Sequence, residues 1–311
     1  MDKIKILFMG TPDFAVNILN SLIDNYEVVG VVTQPDKEVG RHRELKFPPV
    51  KEVAIKNNIK VYQPIKIKEE YEELINIDYD MIVTCAYGQI IPKVLLDYPK
   101  YGCINVHASL LPKLRGGAPI HKAIINGEKK TGITIMYMVE KMDAGDIISQ
   151  VETEITKEDN LESLHDRLSI MGAKLLIDTI PNIISGNINP IPQDENEVTY
   201  AWNIKREEEK IDFNKNVLDV FNQIRGLSPV PGAYALLDDE VIKIYKANML
   251  DEITNKENGE IIKIDKTGIY VSCKDGILVI TELQPAGKKR MNVSDYINGI
   301  NKDNLIGKCF R

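Results

Sequence analysis

The first 138 residues alternate between two kinds of pattern. Short runs rich in β-branched and aliphatic residues (IKILFM, YEVVGVVT, YDMIVTCA, GCINVH) are separated by stretches with helical spacing, as at 14 to 24 and 48 to 57. Strands joined through helices return to their starting edge and pair in parallel, so the alternation predicts an α/β fold with a Rossmann-like, mainly parallel sheet. Such sheets bind ligands outside the carboxyl ends of their strands, and the residues that follow each run are where chemistry is expected.

The pattern changes downstream. After the runs Ile133 to Met138 and Ile147 to Val151, a long helix is expected near 160 to 185, with Asn160 as N-cap, Glu162 and Ser163 in the first turn, and Gly186 as its stop. The stretch from 189, NPIPQDENEVTYAWNIKREEEKIDF, is polar and lacks sustained apolar periodicity. It reads as an interdomain connection. Between Asp194 and Asp212 its charges sum to four negative. From about 209, one helical pattern (217 to 225) precedes AYALL, VIKIYKA, GEIIKID, GIYVSC and GILVITEL, which suggests a small β-barrel or sandwich; of the two, a smaller, OB-like β-barrel is expected. The expected organisation is therefore a catalytic domain over 1–188, a linker over 189–208 and a barrel domain over 209–311.

At 311 residues, with 43% hydrophobic and 27% charged side chains, the chain has the composition of a globular protein of more than one domain. The apolar run before Gly10-Thr11-Pro12-Asp13 is too short for a secretory or membrane-spanning helix, so a cytoplasmic location with no membrane partner is expected. Cys85, Cys103, Cys273 and Cys309 are isolated and form no C-x-x-C pair, which suggests reduced thiols and no metal site. A net charge of -7 argues against indiscriminate nucleic-acid binding but says nothing about local patches.

One stretch stands out chemically: INVHASLLPKLRGGAPI, residues 104 to 120. Asn105 and His107 lie two apart at the end of a strand-like run, so their side chains share one face, about 6.6 Å apart along the strand. An amide offers donors and an acceptor, and an imidazole moves protons near neutral pH, which suits a reaction that forms an oxyanion and transfers a proton. The same pair could also simply satisfy backbone groups at a strand end. The glycines of Arg115-Gly116-Gly117 permit close backbone approach to a ligand. Downstream, MVEKMDAGDII carries Asp143 and Asp146 around Gly145. Either carboxylate could orient His107 or tune its pKa, or merely cap a turn.

INVHASLLPKLRGGAPI, followed by TGITIMYM and MDAGDI, resembles the formyltransferases that use 10-formyltetrahydrofolate. The resemblance implies a catalytic set of Asn105, His107 and Asp143, and leaves Asp146 structural. It further implies that Ser109, Leu110, Leu111 and Pro112 line the folate site, and that Gln89, Ile90 and Ile91 in CAYGQIIP occupy the loop that receives the pterin ring. By the same resemblance, 10-formyltetrahydrofolate is a co-substrate, no cofactor is bound permanently, and no metal is required.

Members of this family differ mainly in the amine they formylate. FMGTPDFAV, YAWNIKREEEKIDF with IRGLSPVPGAY, and LQPAGKKRMNVSDYINGI resemble the members that act on methionyl initiator tRNA, so the resemblance runs from about residue 5 to 308. Local charge agrees with such a partner: residues 37 to 51 carry a balance of three positive, and residues 284 to 311 four positive. A solvated basic loop is the bland alternative. The resemblance implies that Arg41, after Gly40, meets the acceptor end; His42 stands where many relatives have glycine, and Arg43 and Lys46 lie beside it. Lys288, Lys289 and Arg290 are the corresponding expectation in the second domain, and a monomer is expected. The rival within the family formylates a small amine, such as glycinamide ribotide or an amino-sugar nucleotide, and an inactive tRNA-binding module is a further alternative. A dinucleotide-dependent oxidoreductase is disfavoured, because FMGTPDFA lacks G-x-G-x-x-G.

Overall fold

The computed structural model describes residues 3–40, 43–299 and 302–311. Its Cα positions group into two compact units, one made of Met1–Pro119, Lys130–Glu154 and His165–Trp202, the other of Ile120–Lys129, Ile155–Leu164 and Asn203–Arg311. The stretch 189–208, expected as a linker, is thus divided: up to Trp202 it belongs to the first unit, and the chain enters the second at Asn203.

The chain runs β1 (Lys5–Gly10), α1 (Phe14–Asn25), β2 (Glu27–Val32), β3 (Lys37–Val39), β4 (Glu44–Lys46), α2 (Pro49–Lys56), β5 (Val61–Tyr62), α3 (Glu72–Ile75) and β6 (Met81–Cys85). Then follow α4 (Lys93–Asp97), β7 (Cys103–His107), α5 (Pro119–Ile125), β8 (Lys130–Tyr137), β9 (Ile147–Glu154) and α6 (Leu161–Ser185). Seven of these strands form one sheet in the order β5-β2-β1-β6-β7-β8-β9. From β5 to β7 every pairing is parallel, and β8 and β9 add antiparallel to that edge. Because β1 pairs with β2 on one side and β6 on the other, the strand order reverses there, and the carboxyl ends of β1 and β6 are where open sheets of this kind bind ligands. β6 is buried along its whole length and β1 at all but its first residue, as expected of strands covered on both faces.

The capping signals of α6 act as the sequence implies. Asn160 Oδ1 accepts from Ser163 N at 2.9 Å, and Ser163 Oγ accepts from Asn160 N at 3.1 Å, so two otherwise unpaired donors at the helix start are satisfied reciprocally. At the other end Gly186 has φ +72°, and Asn187 N donates to Asn182 O at 2.9 Å, which closes a Schellman turn. Leu168, Leu176, Ile180 and Ile183 form the buried stripe of this helix. Gly172 lets it approach the sheet: a Cβ there would lie 3.1 Å from Val106 Cγ1. Val106 thereby faces α6, and Asn105 and His107 lie on the opposite face of β7.

In the second unit, α7 (Arg206–Glu209) and α8 (Val217–Leu227) precede β10 (Ala233–Leu237), β11 (Glu240–Leu250), β12 (Ile261–Ile264), β13 (Ile269–Ser272), β14 (Ile277–Pro285), β15 (Met291–Asn292) and α9 (Val293–Tyr296). The antiparallel order is β10-β11-β14-β13-β12, with β15 on β14. The two open edges are joined by the last residues. Phe310 N donates to Gly259 O at 2.8 Å next to β12, while Leu236 N of β10 donates to Arg311 O at 2.7 Å. The terminal residues thus tie both edge strands together, as the expected barrel requires. Val217, Val220, Phe221, Ile224 and Leu227 of α8 pack on a core that includes Ile244, Ile261, Val271, Leu278 and Phe310.

Candidate active site

The loop after β7 is built by a chain of hydrogen bonds that leave little freedom. The Thr134 hydroxyl on β8 donates to Ser109 O at 2.7 Å and accepts from Leu111 N at 3.1 Å and Gln150 Nε2 at 2.8 Å. Gln150 Nε2 also reaches Leu111 O at 2.9 Å, and Ser109 Oγ donates to Lys113 O at 2.7 Å. Ser109 and Leu111 are thus consumed in shaping the turn, whereas Leu110 and Pro112 are half-buried and retain exposed surface. Farther along, residues 199–201 run beside the loop: Arg115 N donates to Thr199 O, Ala201 N to Arg115 O and Ala118 N to Ala201 O, at 2.7–2.9 Å. Gly116 is required here, since it has φ +121° and a Cβ would meet Ala201 O at 2.7 Å.

His107 and Asp143 come together at this loop, and Asn105 lies two residues before His107 on β7. His107 is 6% exposed and Asp143 15%, with His107 Nδ1 3.8 Å from Asp143 Oδ1. Leu114 O lies 3.1 Å from His107 Nε2. A carbonyl can only accept, so Nε2 carries a hydrogen and Nδ1 is the nitrogen left to exchange a proton. Asp143 Oδ2 accepts from Gly116 N at 2.8 Å, leaving Oδ1 toward the imidazole. Asn105 pairs in register with Thr84 of β6, whose hydroxyl donates to Asn105 Oδ1 at 2.8 Å. That bond occupies the amide oxygen and turns both amide N–H donors away from Thr84.

Sequence reasoning missed the residues that hold Asp143. Its backbone has φ +49°, a conformation that needs external support. Gln193 Nε2 supplies it, donating to Asp143 O at 2.8 Å and to Gly145 O at 2.7 Å. Arg115, fully buried, fixes Gln193 in turn by donating from Nε and Nη2 to its Oε1 at 3.0 and 2.8 Å, and Nη2 also reaches Glu195 Oε1 at 3.0 Å. Lys141 and Arg115 together hold the Glu195 carboxyl below the usual carboxylate range. Asp146, by contrast, is exposed and its carbonyl accepts from Tyr137 N, a structural role. The RGG run marked the loop in the sequence, but Gln193 and Thr84 carried no local signal.

The remaining expected residues divide. Gln89 is committed to the fold, accepting from Ile67 N at 2.9 Å and donating to Pro64 O at 3.1 Å, and Ile91 is buried in the core beside Leu95. Ile90, 61% exposed, is the one of the three whose side chain is free to meet a ligand. Within the basic stretch 37–51, Lys37–Val39 pairs antiparallel with Glu44–Lys46 as β3 and β4. Arg41 lies outside the described residues, as does His42, while Arg43 and Lys46 are exposed. Lys288 and Lys289 are exposed on the turn before β15. Arg290 is exposed but already engaged: it makes a bidentate pair with Glu282 and lies 4.4 Å over the Tyr245 ring. Among the described residues no group of three or more His, Cys, Asp or Glu gathers in a metal-holding arrangement.

Residues 2–180 match the Formyl transferase family, and residues 203–301 match Formyl transferase, C-terminal domain. The methionyl-tRNA formyltransferase of Bacillus velezensis is 56% identical over 301 residues, covering 96% of this chain and 95% of its own length. That of Staphylococcus aureus (strain MW2) is 53% identical over 307 residues, covering 98% of each chain. Among solved structures, the sugar 3N-formyl transferase WlaRD, in the presence of dTDP and 5-N-formyl-THF, superposes with a TM-score of 0.68 at 24% identity, covering 93% of this chain and all of its own. HypX from Aquifex aeolicus in complex with tetrahydrofolic acid superposes with a TM-score of 0.66 at 17% identity, covering 96% of this chain and 47% of its own. At these identities the two structures speak to the fold alone. The sequence matches extend through both units, and the chain belongs to the formyl transferase family.

Proposed function

We propose that the chain transfers the formyl group of 10-formyltetrahydrofolate to the α-amine of methionyl initiator tRNA. The acceptor is supported by the 53–56% identity to methionyl-tRNA formyltransferases over nearly the whole chain, and the chemistry by one geometric fact: His107 Nδ1 faces Asp143 Oδ1 across 3.8 Å while Nε2 is held by Leu114 O. Asn105 donates from its amide to the oxyanion that develops as the amine attacks the formyl carbon. His107 takes the amine proton at Nδ1, and the Asp143 carboxylate stabilises the imidazolium so formed. With both ring nitrogens then protonated, Nδ1–H becomes a second donor toward the oxyanion. The same proton passes to N10 of the folate as the carbon–N10 bond breaks, so no proton is left over. No covalent bond to the enzyme is required, and orientation supplies much of the rate.

Leu110, Pro112 and Ile90 offer apolar surface to the folate, with Ser109 and Leu111 shaping the turn from beneath. Arg43, Lys46, Lys288 and Lys289 are the exposed cations in this reading, acting on tRNA phosphates, with Arg41 beside them in sequence. We place the activity in the cytoplasm and in a monomer, where its acceptor is charged and used. The test is formyl transfer from labelled 10-formyltetrahydrofolate to methionyl initiator tRNA, methionyl elongator tRNA and small amines. Product on initiator tRNA is expected, with His107→Ala slowing turnover by about 10²–10⁴-fold and leaving tRNA affinity unchanged. Product on a small amine alone would refute the acceptor.

A further inference from the structure

Tyr200 and Trp202 make an unusual surface beside the catalytic loop. Their rings stack with centroids 5.0 Å apart and planes 5° from parallel, yet Tyr200 is 45% and Trp202 56% exposed. Ala201 between them is fully buried, as an extended backbone requires when alternate side chains face opposite ways. The exposure is not a loose end of chain. Ala201 N donates to Arg115 O at 2.7 Å and Ala201 O accepts from Ala118 N at 2.9 Å, so the stretch is fastened to the loop at two points. Between those points lies Gly116, whose N–H donates to Asp143 Oδ2 at 2.8 Å. A rigid, solvent-facing aromatic pair is therefore linked to the catalytic carboxylate through two hydrogen bonds, Ala201 to Arg115 and Gly116 to Asp143.

We infer that Tyr200 and Trp202 form a stacking platform for the base of the terminal unpaired nucleotide of the acceptor arm. The inference rests on the proposed function. The amine that must reach His107 hangs from the ribose of that nucleotide through one ester and one Cα, so its base must lie within a nucleotide's length of Asp143. A base in an unpaired end has both faces free, and stacking on an aromatic ring is the general way proteins hold such a base. The two rings stacked on each other leave their outer faces available and lose little freedom when a third ring joins.

Trp202 is the one tryptophan of the chain, so the emission of the intact protein reports this position alone. The experiment titrates the full-length protein with uncharged initiator tRNA bearing its complete 3′ end, and with the same tRNA lacking the terminal adenosine, while binding is followed independently by filter retention. Complete tRNA is expected to quench Trp202, and the shortened tRNA to bind without quenching. Trp202→Ala is expected to lower kcat/KM for methionyl-tRNA roughly 5- to 100-fold, with Trp202→Phe retaining most of it. Wild-type efficiency in Trp202→Ala, or complete tRNA that binds without changing the emission, would overturn the platform. A response to methionyl-tRNA but not to uncharged tRNA would also overturn it, placing the methionine side chain there instead. If the unaltered protein failed to formylate methionyl-tRNA at all, the acceptor reading would fall and carry the platform with it; normal formylation with a silent Trp202 removes the platform alone.

Discussion

At the scale of single residues, the site works by limiting what each polar atom can do. Asn105 could present either end of its amide, and with Oδ1 accepting from the Thr84 hydroxyl at 2.8 Å the Nδ2 end is the one left to donate. Thr84 is buried and acts through Asn105, so it is a positioning residue. Thr84→Val keeps the shape and removes the hydrogen bond to Asn105. The expected result is a fall in kcat of about tenfold with KM nearly unchanged and full retention in Thr84→Ser, measured by steady-state formylation; a rise in KM alone would contradict it. Of this arrangement the sequence disclosed only part. Asn105 and His107 were legible because strand periodicity puts i and i+2 on one face. Asp143 was legible only through the family resemblance, since a D-x-G turn looks like any other. Thr84 was not legible at all, because its meeting with Asn105 depends on the register of two strands separated by a connecting segment.

At the scale of elements, the supporting loops matter more than the strands they join. The segment around Gln193 showed no periodicity and read as a connection, yet Gln193 is the brace of the Asp143 loop. Irregular segments hide such roles, because their contacts are set by the partner and not by a repeat. Gln193→Leu deletes two bonds to carbonyls and the two that Arg115 makes to Gln193 Oε1, leaving Arg115 its bond to Glu195, which should cost about 1–3 kcal/mol of stability. Turnover should fall further than that loss of stability explains, because Asp143 is then free to leave its φ of +49°. Urea unfolding combined with single-turnover formylation separates the two effects. Equal turnover per folded molecule would show that the loop holds itself.

At the scale of the whole molecule, the division into a parallel-dominated sheet and a smaller antiparallel one followed directly from the two patterns in the sequence, and α6 began and ended at its capping residues. What could not be read was the sorting of short segments between the units, because 120–129 and 155–164 carry no mark of their partner. Stability is likewise a whole-molecule property, and one ion pair gives it a pH signature. Lys51 Nζ lies 2.8 and 2.6 Å from the oxygens of Asp36, with both side chains largely buried, and holds that carboxyl below its usual range. A lowered carboxylate stabilises the fold above the ordinary value of about 3.9, and the contribution is lost as pH falls through the lowered one. Lys51→Met should therefore destabilise at pH 7 and progressively less below pH 4, as read from urea midpoints across that range. A deficit that stayed constant with pH would exclude the pair as its source.

The interleaving of the units has a consequence for exchange between relatives. Ile125 of α5 packs against the barrel core, and Lys122 pairs with Glu208 of α7, so part of the second unit is encoded within the gene region of the first. A chimera that swaps only the residues after Trp202 would bring in a foreign barrel while keeping the native 120–129 and 155–164 that must fit it. Functional recombinants should thus inherit three separated stretches from one parent, and drift in any one of them should be matched in the other two.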